Sequence, residues 1–275
     1  HGRRRQAFAG QVTSSFARPE KNDPLARLRA DYSAYVDTYR SADGALPPMM
    51  QLKLVHTEGV VDAARRIAAG EKFDAPTALA CEAAALLHDT GRYEQLKRYN
   101  TFRDSESVDH AVFSHDIVRE KGWLDAWADK DAILWAVLVH NRRDIPAPAP
   151  SPRALVCAKT VRDADKLDIF RVLEDQIAHT DWRTDSRAFW NLKVSAPPSP
   201  AVLEAIRARR PVNYQDIRCL ADFVLIQVGW MISGLEYATS RRLCAARGHL
   251  AFRRRFLKEL TDSPAVDEIC GMAER

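Results

Sequence analysis

Apolar residues in this chain recur at spacings of three, four and seven, the period of helices that pack through one face. Sustained alternation is nearly absent, and Ala, Leu, Arg and Glu dominate at helical spacing. The pattern predicts an all-α protein, with helices over about 24–40, 48–69, 75–89, 106–121, 127–141, 152–177, 199–209, 214–240 and 241–260. Gly70 and Gly91 read as helix stops. Two proline-rich stretches break helices, Ile145 to Pro152 with four prolines and Ala196 to Pro200 with three. There is no internal repeat.

Residues of metal-binding type interrupt the apolar stripes. His56 aligns with Val60, Ala63 and Ile67, and His88 closes a stripe of Cys81, Ala84 and Ala85, with Asp89 displaced by about 100° around the helix. His110 aligns with Phe113 and Ile117, and His140 follows Ile133, Ala136 and Val137. Asp165 stands between Ala158, Val161, Ile169 and Val172. A carboxylate or imidazole turned toward a core has to be hydrogen-bonded, neutralised or coordinated. Six such residues in one ordered series point to a metal. Mixed imidazole and carboxylate donors suit Fe, Mn, Co, Ni or Zn better than Ca, or Mg alone.

Composition narrows the picture. With 275 residues, 46% of them hydrophobic, and six Trp and ten Phe, the chain can build a sizeable core. The excess of 41 basic over 37 acidic residues gives only +4, too mild to indicate nucleic acid; a small anionic substrate fits. Five scattered cysteines without a CxxC pair exclude a thiolate-rich zinc site and read as reduced thiols of a cytoplasmic protein. No apolar run approaches the roughly 18 residues that span a bilayer, and no signal-peptide core follows the N-terminal arginines, so a soluble protein without a membrane partner is expected.

The pair His88-Asp89, with His56 before it and Ala164-Asp165-Lys166-Leu167 after it, resembles the HD-domain superfamily of metal-dependent phosphohydrolases over roughly residues 48–175. Gly91-Arg92-Tyr93-Glu94 and the run from Thr101-Phe102-Arg103-Asp104 to Asp109-His110 are similar to a bacterial branch with additional histidines. The resemblance implies that His56, His88, Asp89 and Asp165 bind one divalent ion, and that Asp89 bridges to a second held by His110 and His140. Asp163 is the alternative to Asp165, and Asp168 a hydrogen-bond acceptor that could orient a ligand. Two ions would lower the pKa of a water and hold phosphoryl oxygens for in-line attack.

Arg92 and Lys166 are the phosphate contacts favoured by position, among a wider set of Lys97, Arg98, Arg103, Arg142 and Arg143 that could equally be solvated helix ends. The substrate class implied is a phosphomonoester, nucleotide or related small phosphorylated metabolite. The same ligands would also serve a di-iron oxygenase on the HD scaffold, and a third reading is a regulatory ligand-binding domain without turnover.

The organisation expected is an N-terminal arm over 1–23, in part a cloning remnant, an HD-type domain over 24–195 and a helical extension over 196–275. The extension, apolar from Phe223 to Ile232, would pack on the core or on a second subunit in a homo-oligomer. His115 reads as a non-ligand, and His179 and His249 as structural. Trp182 to Trp190 reads as packing or a lid, and Arg253-Arg254-Arg255 as a solvated face of the final helix.

Overall fold

The structure, a computed structural model, describes residues 23–184, 189 and 192–275. All but Asp23 of the N-terminal arm lies outside the described residues, as does Trp190 of the aromatic segment. Helix α1 (Pro24–Asp37) leads to α2 (Pro48–Gly70), α3 (Ala75–Leu87), α4 (Gly91–Tyr99), α5 (His110–Glu120), α6 (Lys130–Val139) and the long α7 (Pro152–His179). A second group follows, α8 (Pro200–Arg207), α9 (Leu220–Gly229), α10 (Ala238–Ala246), α11 (His249–Leu260) and α12 (Ala265–Glu274). Among the described residues there is no strand, and an isolated bridge pairs Lys193 with Cys219. The fold is all-α.

The prolines that read as breakers also act as starters. Pro24, Pro48, Pro152 and Pro200 each open a helix at the position where a missing N–H costs nothing. Asp23, Asp74, Asp109 and Ser151 accept backbone N–H groups of the first turns of α1, α3, α5 and α7.

Helix α7 packs on α2, α3 and α6. Together they bury Val60, Ile67, Ala84, Leu87, Ile133, Val137, Val161 and Ala164. Each buried Val, Leu or Ile among them contributes about 1.5–3 kcal/mol. A second cluster gathers Val202, Leu225, Phe256 and Ile269 from α8, α9, α11 and α12, and recruits Leu173 from the end of α7. Trp182 and Phe189 are buried there, Trp182 edge-on to Phe256, so the described part of the aromatic segment is packing.

Three expectations fail for identifiable reasons. Gly91 opens α4 instead of stopping α3: a Cβ there would lie 2.7 Å from the Ser114 nitrogen, so glycine permits the close approach of α4 to α5. The region read as one helix over 214–240 is a short 3-10 turn (Tyr214–Asp216), then α9, then a π turn (Trp230–Gly234), and Gly248 at φ 68° divides the next helix. Arg253 is no solvated residue: it is 0% exposed, and α11 is followed by α12. Its guanidinium donates to Gln227 Oε1, Glu174 Oε1 and the carbonyls of Phe170 and His249, tying α11 to α7 and α9. Arg254 pairs with Glu274, and Arg255 lies over the Phe252 ring. All five cysteines are free and buried. Among the described residues no helix is long and apolar enough to cross a membrane.

Candidate metal centre

Four helices deliver the four histidines by two devices. His88 and His140 each follow the last residue of a helix, α3 and α6, where carbonyls lack intrahelical partners. Each ring turns back, Nδ1 lying 2.7 Å from the carbonyl three residues earlier, Ala85 for His88 and Val137 for His140. His56, within α2, and His110, opening α5, use carboxylates instead: His56 Nδ1 lies 2.7 Å from Asp168 Oδ2 and His110 Nδ1 lies 2.5 Å from Asp104 Oδ2. Carbonyls and carboxylates only accept, so each Nδ1 carries a hydrogen, and the His88, His110 and His140 rings, whose charged forms burial disfavours, each present an Nε2 lone pair; His56, raised because its bonds to Asp165 and Asp168 outweigh burial and the Lys53 charge, also turns its Nε2 to the Asp165 carboxylate. The four Nε2 atoms converge on Asp89.

The two oxygens of Asp89 face different rings. Oδ2 lies 3.6 Å from His88 Nε2 and 3.9 Å from His56 Nε2, whereas Oδ1 lies 3.6 Å from His110 Nε2 and 3.9 Å from His140 Nε2. Asp165 closes the first set, Oδ1 at 3.0 Å from His56 Nε2 and 3.9 Å from His88 Nε2. The ligand atoms of His56, His88 and Asp165 lie within 4.8 Å of one another, as do those of His88, Asp89 and His140. A third such group, Asp104, Asp109 and His110, is engaged otherwise, since Asp104 orients His110 and Asp109 caps α5.

The donor set fits a cation. His88 Nε2 is buried without a hydrogen-bond partner, and the His110 and His140 Nε2 atoms lie 3.1 Å apart with their lone pairs facing. Burial pushes both His110 and His140 down to about 4, so they are neutral near pH 7 and able to coordinate. Burial works against charge on Asp89, yet Lys53 foremost and the surrounding groups hold its carboxyl well below the usual range. Asp165 is likewise lowered, burial being outweighed by its hydrogen bond with His56.

All six residues expected to bind metal are therefore brought together, but the reason given for Asp165 needs correction. Its side chain is 22% exposed, and Ile169 and Val172 beside it are only half-buried. It lies on the edge of the core face, toward the centre, while Asp163 is fully buried. Asp163 accepts N–H groups of Glu236 and Tyr237 at 3.0 Å and so anchors the segment before α10, which separates it from the cluster. Asp168 takes the orienting position, itself held by Arg171 at 2.7 and 3.0 Å.

Of the basic residues, Arg92 reaches the cluster, with Nε 3.4 Å from Asp89 Oδ1 and a terminal nitrogen 3.3 Å from His110 Nε2. Lys166 is turned to the Arg162 carbonyl at 3.4 Å, and burial, then the Arg162 charge, pushes it down to about 8. Arg98 pairs with Glu94, Arg103 with Glu106, Arg142 with Asp109 and Arg143 with Asp144, while Lys97 lies over the Tyr39 ring. His115 meets Asp116, His179 bonds the Asp175 carbonyl, and His249 meets Glu174 within the second cluster.

Sequence reasoning missed Lys53, whose Nζ lies 2.7 Å from Asp89 Oδ2. The signal was available: Lys53 precedes His56 by three residues and so shares its helix face. Lys53 and Arg92 both stand over the Phe102 ring, 5.6 and 5.5 Å from its centre, which holds two cations on either side of one carboxylate. Arg162 was missed as well. It donates to the carbonyls of Val139, His140, Arg142 and Arg143, satisfying the end of α6 from α7.

The family model described as HD domain matches residues 54–169, the stretch that contains all six residues. No curated protein and no solved structure matches the chain.

Proposed function

We propose that this chain, whose residues 54–169 are an HD domain, is a divalent-metal-dependent phosphohydrolase acting on a small phosphorylated substrate. HD domains are in general metal-dependent phosphohydrolases, and the observation that carries the reading here is the division of Asp89. One carboxylate presents separate oxygens to two imidazole pairs, the arrangement a bridged pair of ions requires. His56, His88, Asp89 and Asp165 would hold one ion, and His110, His140 and Asp89 the other, as Fe, Mn, Co, Ni or Zn. Such ions supply a water acidic enough to attack at neutral pH and neutralise phosphoryl oxygens.

The chain's own groups do the rest. Asp168 and Asp104 fix the His56 and His110 rings with Nε2 inward, which also keeps both rings in the coordinating tautomer. Lys53 and Arg92, already at the centre, would grip the phosphoryl oxygens, Arg92 as a planar fork and Lys53 as a point charge. Lys166, beside Asp165, would add a further point charge by leaving its long contact with Arg162.

The test is metal content of protein prepared without chelator, followed by turnover of phosphomonoesters in wild type and Asp89→Asn. The reading expects about two transition-metal ions per chain and hydrolysis that both fall away in the variant while far-UV dichroism is kept. Hydrolysis by metal-free Asp89→Asn would refute it. Iron with substrate-dependent oxygen uptake would replace it by an oxygenase, and full metal loading without any turnover would leave a ligand-binding domain.

A further inference from the structure

Arg92, in the first turn of α4, has a guanidinium held at one corner. Its Nη1 lies 2.8 Å from Gln95 Oε1, 2.7 Å from the Phe102 carbonyl and 3.1 Å from Asp104 Oδ1. Gln95 is itself fully buried, with its amide nitrogen bonded to Asp104 Oδ1, Ser107 Oγ and the Val108 carbonyl, so this corner is a fixed pivot. The other two nitrogens face the centre. Nη2 donates to His110 Nε2 at 3.3 Å, and Nε, buried without a hydrogen-bond partner, stands 3.4 Å from Asp89 Oδ1. On the first ligand set, by contrast, Lys53 meets Asp89 Oδ2 while His88 Nε2 has no hydrogen-bond partner.

His110 Nε2 and Asp89 Oδ1 are also the atoms that would hold the second ion. An imidazole nitrogen has one lone pair, and with the His110 hydrogen kept on Nδ1 by Asp104, the lone pair of Nε2 serves either the Arg92 N–H or a cation. The two exclude each other. Resting on the phosphohydrolase reading, we propose that Arg92 makes the second ion dependent on an oxyanion: the guanidinium holds the His110 lone pair until a tetrahedral oxyanion draws its free nitrogens aside, so that the second divalent cation and the phosphoryl group load together. Cation and oxyanion favour the same position of one side chain, which is the condition for positive coupling, and the coupling is reciprocal. A forked guanidinium suits the exchange, because it stays anchored through Nη1 while Nη2 and Nε change partner. The first ion, held by His56, His88, Asp89 and Asp165, would load without it.

Manganese titration of the metal-free full chain, with the free ion counted by electron paramagnetic resonance, reads both affinities without turnover, and methylphosphonate supplies a tetrahedral oxyanion that is not hydrolysed. Wild type is expected to bind one ion tightly and a second about tenfold or more weakly, and saturating methylphosphonate to tighten the second about tenfold while moving the first by less than about twofold. Arg92→Met should tighten the second ion about tenfold without the phosphonate and lose most of the response to it. A merely structural arginine would do the reverse, since its loss would loosen Asp104 and weaken the second ion. Two ions of equal affinity in wild type, a second ion indifferent to methylphosphonate, or one weakened by Arg92→Met would each overturn the proposal and leave the phosphohydrolase reading in place. A chain that binds a single ion even at saturation, or none, would sink both.

Discussion

Gly59 lies one turn after His56 on α2, and its missing side chain makes room for the carboxylate that orients His56. A Cβ on Gly59 would fall 1.9 Å from Asp168 Oδ1, 2.5 Å from its Cγ and 3.0 Å from Oδ2. Ordinary contact begins at 3.4 Å, so in Gly59→Ala the nearest oxygen must retreat by about 1.5 Å. Asp168 cannot do so and still hold both His56 at 2.7 Å and Arg171 at 2.7 Å. Overpacking of this kind costs about 1–3 kcal/mol, against a gain of about 1 kcal/mol from replacing glycine inside a helix. Net destabilisation should therefore stay under about 2 kcal/mol. Metal affinity is expected to fall further, roughly 10- to 100-fold, because the group that fixes the ring and its tautomer is displaced. Competition with a chromogenic chelator measures the affinity, and urea unfolding of the metal-free chain measures the stability. In an Asp168→Ala background, Gly59→Ala should change metal affinity little, since the clash is gone. Wild-type affinity in the single variant would refute the argument, and so would fully additive losses in the double variant.

Lys53→Met should lower kcat/KM for phosphomonoesters roughly 10- to 100-fold, the worth of a charged hydrogen bond, while metal binds at least as tightly because an ammonium no longer competes for Asp89; weaker metal binding would contradict this. Arg253→Ala leaves Gln227 Oε1 without its described donor and Glu174 with His249 alone, and should cost about 3–5 kcal/mol by urea unfolding, with a loss under 1 kcal/mol placing the seam's stability elsewhere. Glu174 is lowered because hydrogen bonds from His249 and Arg253 outweigh its burial, so its contribution is complete above the unfolded value near about 4.3 and is lost as pH falls through the folded value. Unfolding midpoints of Glu174→Gln should consequently depend less steeply on pH than those of wild type below about pH 5, and parallel curves would refute the assignment.

The helical period was legible wherever a helix has one apolar face, as in α2, where His56, Val60, Ala63 and Ile67 are all buried. Helix α4 was not, because Gly-Arg-Tyr-Glu-Gln-Leu-Lys-Arg-Tyr is short and mostly polar and begins with the residue that usually ends helices. Asp165 was found by its motif, while the apolar stripe offered in support belongs more nearly to Asp163 and Ala164. Helix periodicity tells which residues face inward, and it cannot distinguish an aspartate facing a metal centre from one capping a distant loop. The partners of the histidines were legible in part: Asp168 stood one turn from Asp165, whereas Asp104 reaches His110 through a short 3-10 turn without a periodic signature.

Arg162 has a mechanical consequence. It grips the backbone just after His140 from a position three residues before Asp165 on α7, a rise of about 4.5 Å. The strut thus fixes the end of α6, and His140 with it, to α7 less than one helical turn before Asp165. In the two-ion reading proposed above, an Asp89 shared by both sets would tolerate little change in span. In Arg162, the chain carries the spacer that keeps that span constant.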